Sequence, residues 1–319
     1  LGPAPIITRD QKFCVDCHGQ LQQIAKRAPL LNVRDFGNDH PQFRPMIVTD
    51  AKQNKRQRMS LDRANWPKER TTLKFSHKQH LNAKGMRVPD KTERRVLQCR
   101  DCHQLQPNGI NMVAIRMEPH CNECHLLQFE PARPKRVVPH GRAERVMTAL
   151  EEFYGSVALS GGVDFGDAPP SVRRRPGTPL TKTQRMEALA WANARTRQTA
   201  EHIFRKSLCN TCHVVFGSSG KNGTVWNVEP VSVPVRWLPK GLFDHRAHEN
   251  TACTDCHGAA ESTSTTDVLL PQIGTCQACH GGEQAITGVP STCVMCHQFH
   301  QPSLGPMRPN LGATARRDG

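Results

Sequence analysis

The chain has 319 residues and a formal charge of +15, with 37% hydrophobic and 5% aromatic side chains, which argues against a fold held by an ordinary large apolar core. Its fourteen Cys are too sparse for a small disulfide-stapled scaffold, and no stretch approaches the roughly 18 apolar residues of a membrane span. The opening LGPAPIITRDQKF lacks the basic start and apolar run of a secretory signal, so an exported protein would be represented here by its mature form.

The predicted elements begin with CVDCH (Cys14, Cys17, His18). His40 follows, biased toward extended backbone by Pro41, and then the basic run Lys52 to Arg58. Phe75 to His80 (FSHKQH) carries His77 and His80 three residues apart, which on a helical turn places both on one face. CRDCH (Cys99, Cys102, His103) and CNECH (Cys121, Cys124, His125) come next, the latter directly preceded by His120. A second basic run, Arg133 to Arg136, leads to His140 in a VPHG turn and to a predicted helix over 141–154.

Residues 160–182, rich in Gly, Pro and Arg, read as a linker between a three-motif part (1–159) and a four-motif part (183–319). The longest predicted helix spans 183–208, capped by Thr183, with Met186, Leu189, Ile203 and Phe204 as its apolar residues and His202 leading into CNTCH (Cys209, Cys212, His213). Val225 to Leu238 holds at most a short edge strand because of its prolines. Phe243 to His248 (FDHRAH) repeats the earlier double-His element with His245 and His248. The last motifs are CTDCH (Cys253, Cys256, His257), CQACH (Cys276, Cys279, His280) and CVMCH (Cys293, Cys296, His297), with His300 three residues beyond.

Seven C-x-x-C-H motifs consume all fourteen Cys. In this motif two thiols add to the vinyl groups of one haem and the adjacent His reaches the iron, so one short turn must present two sulfurs and an imidazole to the same porphyrin. A zinc ribbon has no reason to place His after every second Cys, and a disulfide framework is indifferent to His. The implied cofactor is seven covalently attached haem c, whose iron is the bound metal. Removing the seven motif histidines leaves nine others (His40, His77, His80, His120, His140, His202, His245, His248 and His300) as distal candidates, enough to fill both axial positions at every iron.

The F-x-H-x-x-H element followed by close C-x-x-C-H motifs resembles the class III multihaem cytochromes, their trihaem relatives and the doubled-motif proteins built from the same unit, over roughly residues 73–125 and 241–300. The resemblance implies a mainly irregular fold with a few α-helices, very little β and a core of closely packed haems. It also implies that His245 serves the haem of Cys253 and Cys256, that His77 serves that of Cys99 and Cys102, and that His80 and His248 serve later haems. A bacterial periplasmic or extracellular location, with export before haem attachment, follows from the same resemblance.

The expected function is therefore electron transfer through a chain of low-spin bis-His haems, not catalysis. The alternative is an oxidoreductase with one open-coordination haem acting on a small nitrogen or sulfur species. Seven ferric haems each add about −1, bringing the charge to about +8. Expected partners are other redox proteins, or copies of the same chain in a filament. Nucleic acid is not expected, because no aromatic stripe accompanies the basic runs.

Overall fold

The computed structural model describes residues 11–26, 30–162, 164–221, 223–234 and 236–298. Most of this is irregular chain punctuated by single helical turns, as 24 Pro and 23 Gly impose. Strand content is confined to small antiparallel hairpins. In the first, β1 (Met46–Asp50) pairs with β2 (Lys55–Arg58), Met46 opposite Arg58. In the last, β3 (Val215–Gly220) pairs with β4 (Gly223–Val228), which stops two residues before Pro230. The basic run at 52–58 is thus partly strand, and Lys52 Nζ lies 2.6 Å from Glu229 Oε1.

Besides the short α1 (Lys12–His18), two long helices form, α2 (Ala143–Ser160) and α3 (Lys182–Glu201). Helix α2 outruns the predicted 141–154 because its apolar stripe of Val146, Leu150, Phe153, Tyr154 and Ala158 keeps helical spacing to its end. Helix α3 starts earlier and ends sooner than the predicted 183–208. Thr181, not Thr183, is its cap: the Thr181 hydroxyl accepts the Gln184 N–H at 3.2 Å and the Gln184 side chain accepts the Thr181 N–H at 3.0 Å. Met186 and Leu189, expected on its apolar face, are 65% and 37% exposed. The face that packs is instead Ala188, Ala192, Thr196, Thr199 and Ala200, whose small side chains let α2 approach. After Glu201 the chain loosens into a π turn, His202–Lys206, which buries Ile203 and Phe204; Phe204 stacks on Trp226 of β4 at 5.0 Å.

Tyr154 is the buried centre of this larger apolar cluster. Its hydroxyl donates to Glu130 Oε2 at 2.8 Å and lies 2.8 Å from Thr199 Oγ1, while Arg195 Nη2 stands 3.4 Å from the same carboxylate. Burial pushes the Tyr154 phenol up to about 12, so it stays a hydrogen-bond donor. Residues 160–182, expected as a linker, are part of this packing. They form a helical turn, Pro170–Arg173, with Val172 fully buried, and the Arg174 guanidinium donates to the Ala158 carbonyl at 3.2 Å near the end of α2.

The remainder has little self-made core; the second cluster is Ile47, Leu61 and Val268, with Phe43, Trp66 and Trp237 against it. Early and late segments interleave throughout. Met46 N–H donates to Trp237 O at 2.8 Å, Glu69 N–H to Thr266 O at 2.8 Å and Lys78 N–H to Ser262 O at 2.8 Å. Gly282 packs directly on Asp35, where a Cβ would collide with the carboxylate. The segments around the motifs enclose a continuous cavity of ≈ 3690 Å³, several times the roughly 300–1,000 Å³ of a single small-molecule site.

Candidate functional site

The cavity is lined by every Cys except Cys209 and by all seven motif histidines. Each motif makes one helical turn. In six of them the histidine N–H donates back to the carbonyl of the first Cys, at 2.8 Å for His103 and 2.9 Å for His125, His213, His257, His280 and His297. At His103, His213, His257 and His297 the backbone then leaves the turn in an extended conformation. The first motif lies within α1. No Cys is in a disulfide; burial pushes the thiols of Cys209, Cys276 and Cys293 up to about 11.

The two F-x-H-x-x-H elements have the same construction. Phe75 stacks on His80 at 4.3 Å and meets His77 edge-on at 5.0 Å; Phe243 stacks on His248 at 4.5 Å and meets His245 edge-on at 4.7 Å. The residue after the Phe closes the turn. His80 Nδ1 donates to Ser76 O at 2.8 Å, and His248 Nδ1 to Asp244 O at 2.9 Å. A carbonyl on Nδ1 fixes the tautomer and leaves Nε2 with its lone pair, the form that ligates iron. His40 does the same with Pro41 O at 2.8 Å, His245 with Ile110 O at 3.3 Å, His257 with Leu269 O at 2.7 Å and His297 with Lys240 O at 2.9 Å.

These imidazoles meet in pairs, one from a C-x-x-C-H motif and one from outside it. Ring centres are 6.3 Å apart for His77 and His103, 6.2 Å for His80 and His125, 6.1 Å for His140 and His213, 5.9 Å for His248 and His280, and 6.1 Å for His40 and His297. Two imidazoles on opposite sides of one metal ion, each with a metal–nitrogen bond of about 2.0–2.1 Å and a ring centre about 1.1 Å beyond the nitrogen, stand about 6.2 Å apart. The donor set and spacing therefore fit an iron carrying two axial imidazoles, with the cavity taking the macrocycles. His257 lies close enough to both His245 and His103 to oppose their protonation.

Burial, the largest influence, holds His40, His77, His103, His125, His213, His245 and His280 below the usual imidazole range, and a nearby histidine adds to it in each case. These rings are thereby neutral and able to donate a lone pair.

The remaining candidates are placed differently. His120 lines the cavity and its Nδ1 lies 3.1 Å from Arg116 O and 3.0 Å from the Arg116 N, but among the described residues its ring is not set face to face with a motif histidine. His202, expected to approach the haem of CNTCH, is exposed at the start of the π turn and does not line the cavity; the turn directs Ile203 and Phe204 inward in its place. His300 lies outside the described residues.

Glu69, also on the cavity wall, had no signal in the sequence. Its carboxylate accepts the Val48 N–H at 3.3 Å, and burial pushes it up to about 7. The folded state thus holds this proton more tightly than the unfolded chain does. The resulting stability is fully present below pH about 4.5 and is lost as pH rises through about 7, on the order of 3 kcal/mol. Replacing Glu69 by Gln is expected to remove this slope, so that the difference in melting temperature between variant and wild type moves in the variant's favour from pH 5 to pH 8. Parallel melting-temperature profiles would rule it out.

Neither the curated proteins nor the solved structures compared with the chain give a match. Residues 242–298, which hold the second double-His element and the last three motifs, match the family model described as cytochrome c7 and related cytochrome c, so this segment is similar to multihaem electron-transfer cytochromes that bind haem c covalently.

Proposed function

We propose that the chain is a seven-haem c-type cytochrome whose work is electron transfer between redox partners outside the cytoplasm. The observation that carries this reading is the set of five ring pairs at 5.9–6.3 Å, each joining one motif histidine to one histidine from elsewhere in the chain. The paired thiols of each motif would hold the porphyrin as thioethers. The axial pairs would be His103 with His77, His125 with His80, His213 with His140, His257 with His245, His280 with His248 and His297 with His40. For His18, the chain tethers His300 three residues beyond His297 of the last motif, whose Cys293 is within reach of Cys14. His120 and His202 are left out of the set.

The bound haems supply reversible one-electron chemistry. The protein's own contribution would be to supply each iron with two imidazoles, which would leave no site for substrate or oxygen and favour electron transfer over catalysis. Where Nδ1 is tied to a backbone carbonyl, as in His40, His80, His245, His248, His257 and His297, the ring is held in place for either oxidation state. Partners are redox proteins or further copies of this chain.

Low-temperature EPR of the fully oxidised protein, with haem counted in the same sample, tests the reading. Seven haems per chain, all low-spin, are expected. A high-spin signal equal to one haem would identify an open iron and favour an oxidoreductase acting on a small nitrogen or sulfur species.

A further inference from the structure

We propose that the seven sites, numbered in sequence order, form one unbranched electron path in the spatial order 1, 7, 6, 5, 2, 3, 4, so that the first and fourth motifs are its ends and the C-terminal motif is internal. This rests on the seven-haem reading above. Its basis is a set of six contacts between segments remote in sequence.

Site 1 meets site 7 through Gln11, which precedes α1 and whose side-chain oxygen lies 3.5 Å from Cys293 Sγ. The Cys14 and Cys293 side chains are also close enough to influence one another. Site 7 meets site 6 across Phe36, whose ring is 5.5 Å from His40 on one side and 6.4 Å from His280 on the other. Gln277, inside motif 6, secures that ring by donating to the Phe36 carbonyl at 2.9 Å. Site 6 meets site 5 because His248 and His245 sit one turn apart, His248 facing His280 at 5.9 Å and His245 lying within electrostatic reach of His257.

Site 5 meets site 2 where the His245 N–H donates to Gly109 O at 3.0 Å, six residues after His103, and where Cys253 and Cys99 lie close enough to influence one another. Site 2 meets site 3 on the turn His77–His80, whose two rings face His103 and His125. Site 3 meets site 4 twice. Lys74, beside the Phe75 that stacks on His80, donates its N–H to Cys212 O at 2.7 Å, and Glu118, three residues before Cys121, lies 3.4 Å from His140 Nδ1.

Six contacts linking seven sites in this way pass through each site once and close no ring. Sequence order puts the last motif at one extremity; the fold places it second. An end-to-end continuation of the path, by a redox partner or a copy of this chain, has to abut motif 1 or motif 4.

An experimental structure of the purified holoprotein, with irons located by anomalous scattering at the iron edge, decides the order. Seven irons are expected, the iron of Cys14 and Cys17 nearest to that of Cys293 and Cys296, and the iron of Cys209 and Cys212 nearest to that of Cys121 and Cys124. Fewer than seven irons would overturn the seven-haem reading. Seven irons with the Cys293 iron terminal, or with any iron having three near neighbours, would overturn the order alone.

Discussion

With all fourteen Cys replaced by Ser, so that no haem can be attached, the chain is expected to lose its compact form while keeping the helices α2 and α3. The two apolar clusters differ in what they depend on. None of the fifteen fully buried residues of the larger cluster, from Val138 to Trp226, lines the cavity. The smaller cluster reaches it through Val268, Phe43 and Trp237. With no macrocycle in it, the open cavity of ≈ 3690 Å³ fills with water, and the chain around it gains almost no apolar burial to offset its conformational entropy. The segments around the motifs therefore have no folded alternative without the macrocycles between them. The radius of gyration by X-ray scattering should rise from about 20 Å toward about 60 Å. The far-UV helical signal should fall to what 18 and 20 residues of α2 and α3 supply. A haem-free chain that remains compact and melts cooperatively would show that the side chains make their own core.

Much of the site was legible in the sequence because its chemistry is local. Two Cys and a His within five residues specify one turn, and Phe-x-His-x-x-His specifies another; the two copies, Phe75 to His80 and Phe243 to His248, fold with the same ring contacts and the same Nδ1-to-carbonyl bond. What periodicity could not supply is what depends on distance. The start of α3 was misplaced because two threonines compete for one cap and only Thr181 has Gln184 three residues on. Its buried face was misread because Ala and Thr pack there while Met186 stays in solvent. Residues 160–182 have a linker's composition, yet Val172 is fully buried and Arg174 bonds back to the end of α2. His202 looked like a ligand by its nearness in sequence to Cys209, but a π turn intervenes and leaves it exposed. The interleaving of early and late segments, which sets the order of the sites, is carried by backbone bonds such as Lys74 to Cys212 that leave no trace in residue type.

Replacing His140 by Ala is expected to convert one haem in seven from low-spin to high-spin, and replacing His202 by Ala to convert none. The two residues form a controlled pair. Both precede CNTCH, His202 by only seven residues, but the ring of His140 stands 6.1 Å from His213 whereas His202 is exposed on its turn. Loss of the His140 imidazole leaves the sixth position to water, a weak ligand, and the ferric iron changes spin state. Added imidazole should restore the low-spin spectrum, because the gap left by the Ala has the shape of the lost ring. Replacing His140 by Met keeps six-coordination but raises that haem's potential, within the ≈ 0.8 V that axial ligands command. The other six irons keep their ligands, so their low-spin signals should be unchanged. EPR quantified against total haem measures each of these changes. A high-spin signal in the His202 variant, or its absence in the His140 variant, would reassign the distal ligand of the fourth site and with it one end of the electron path.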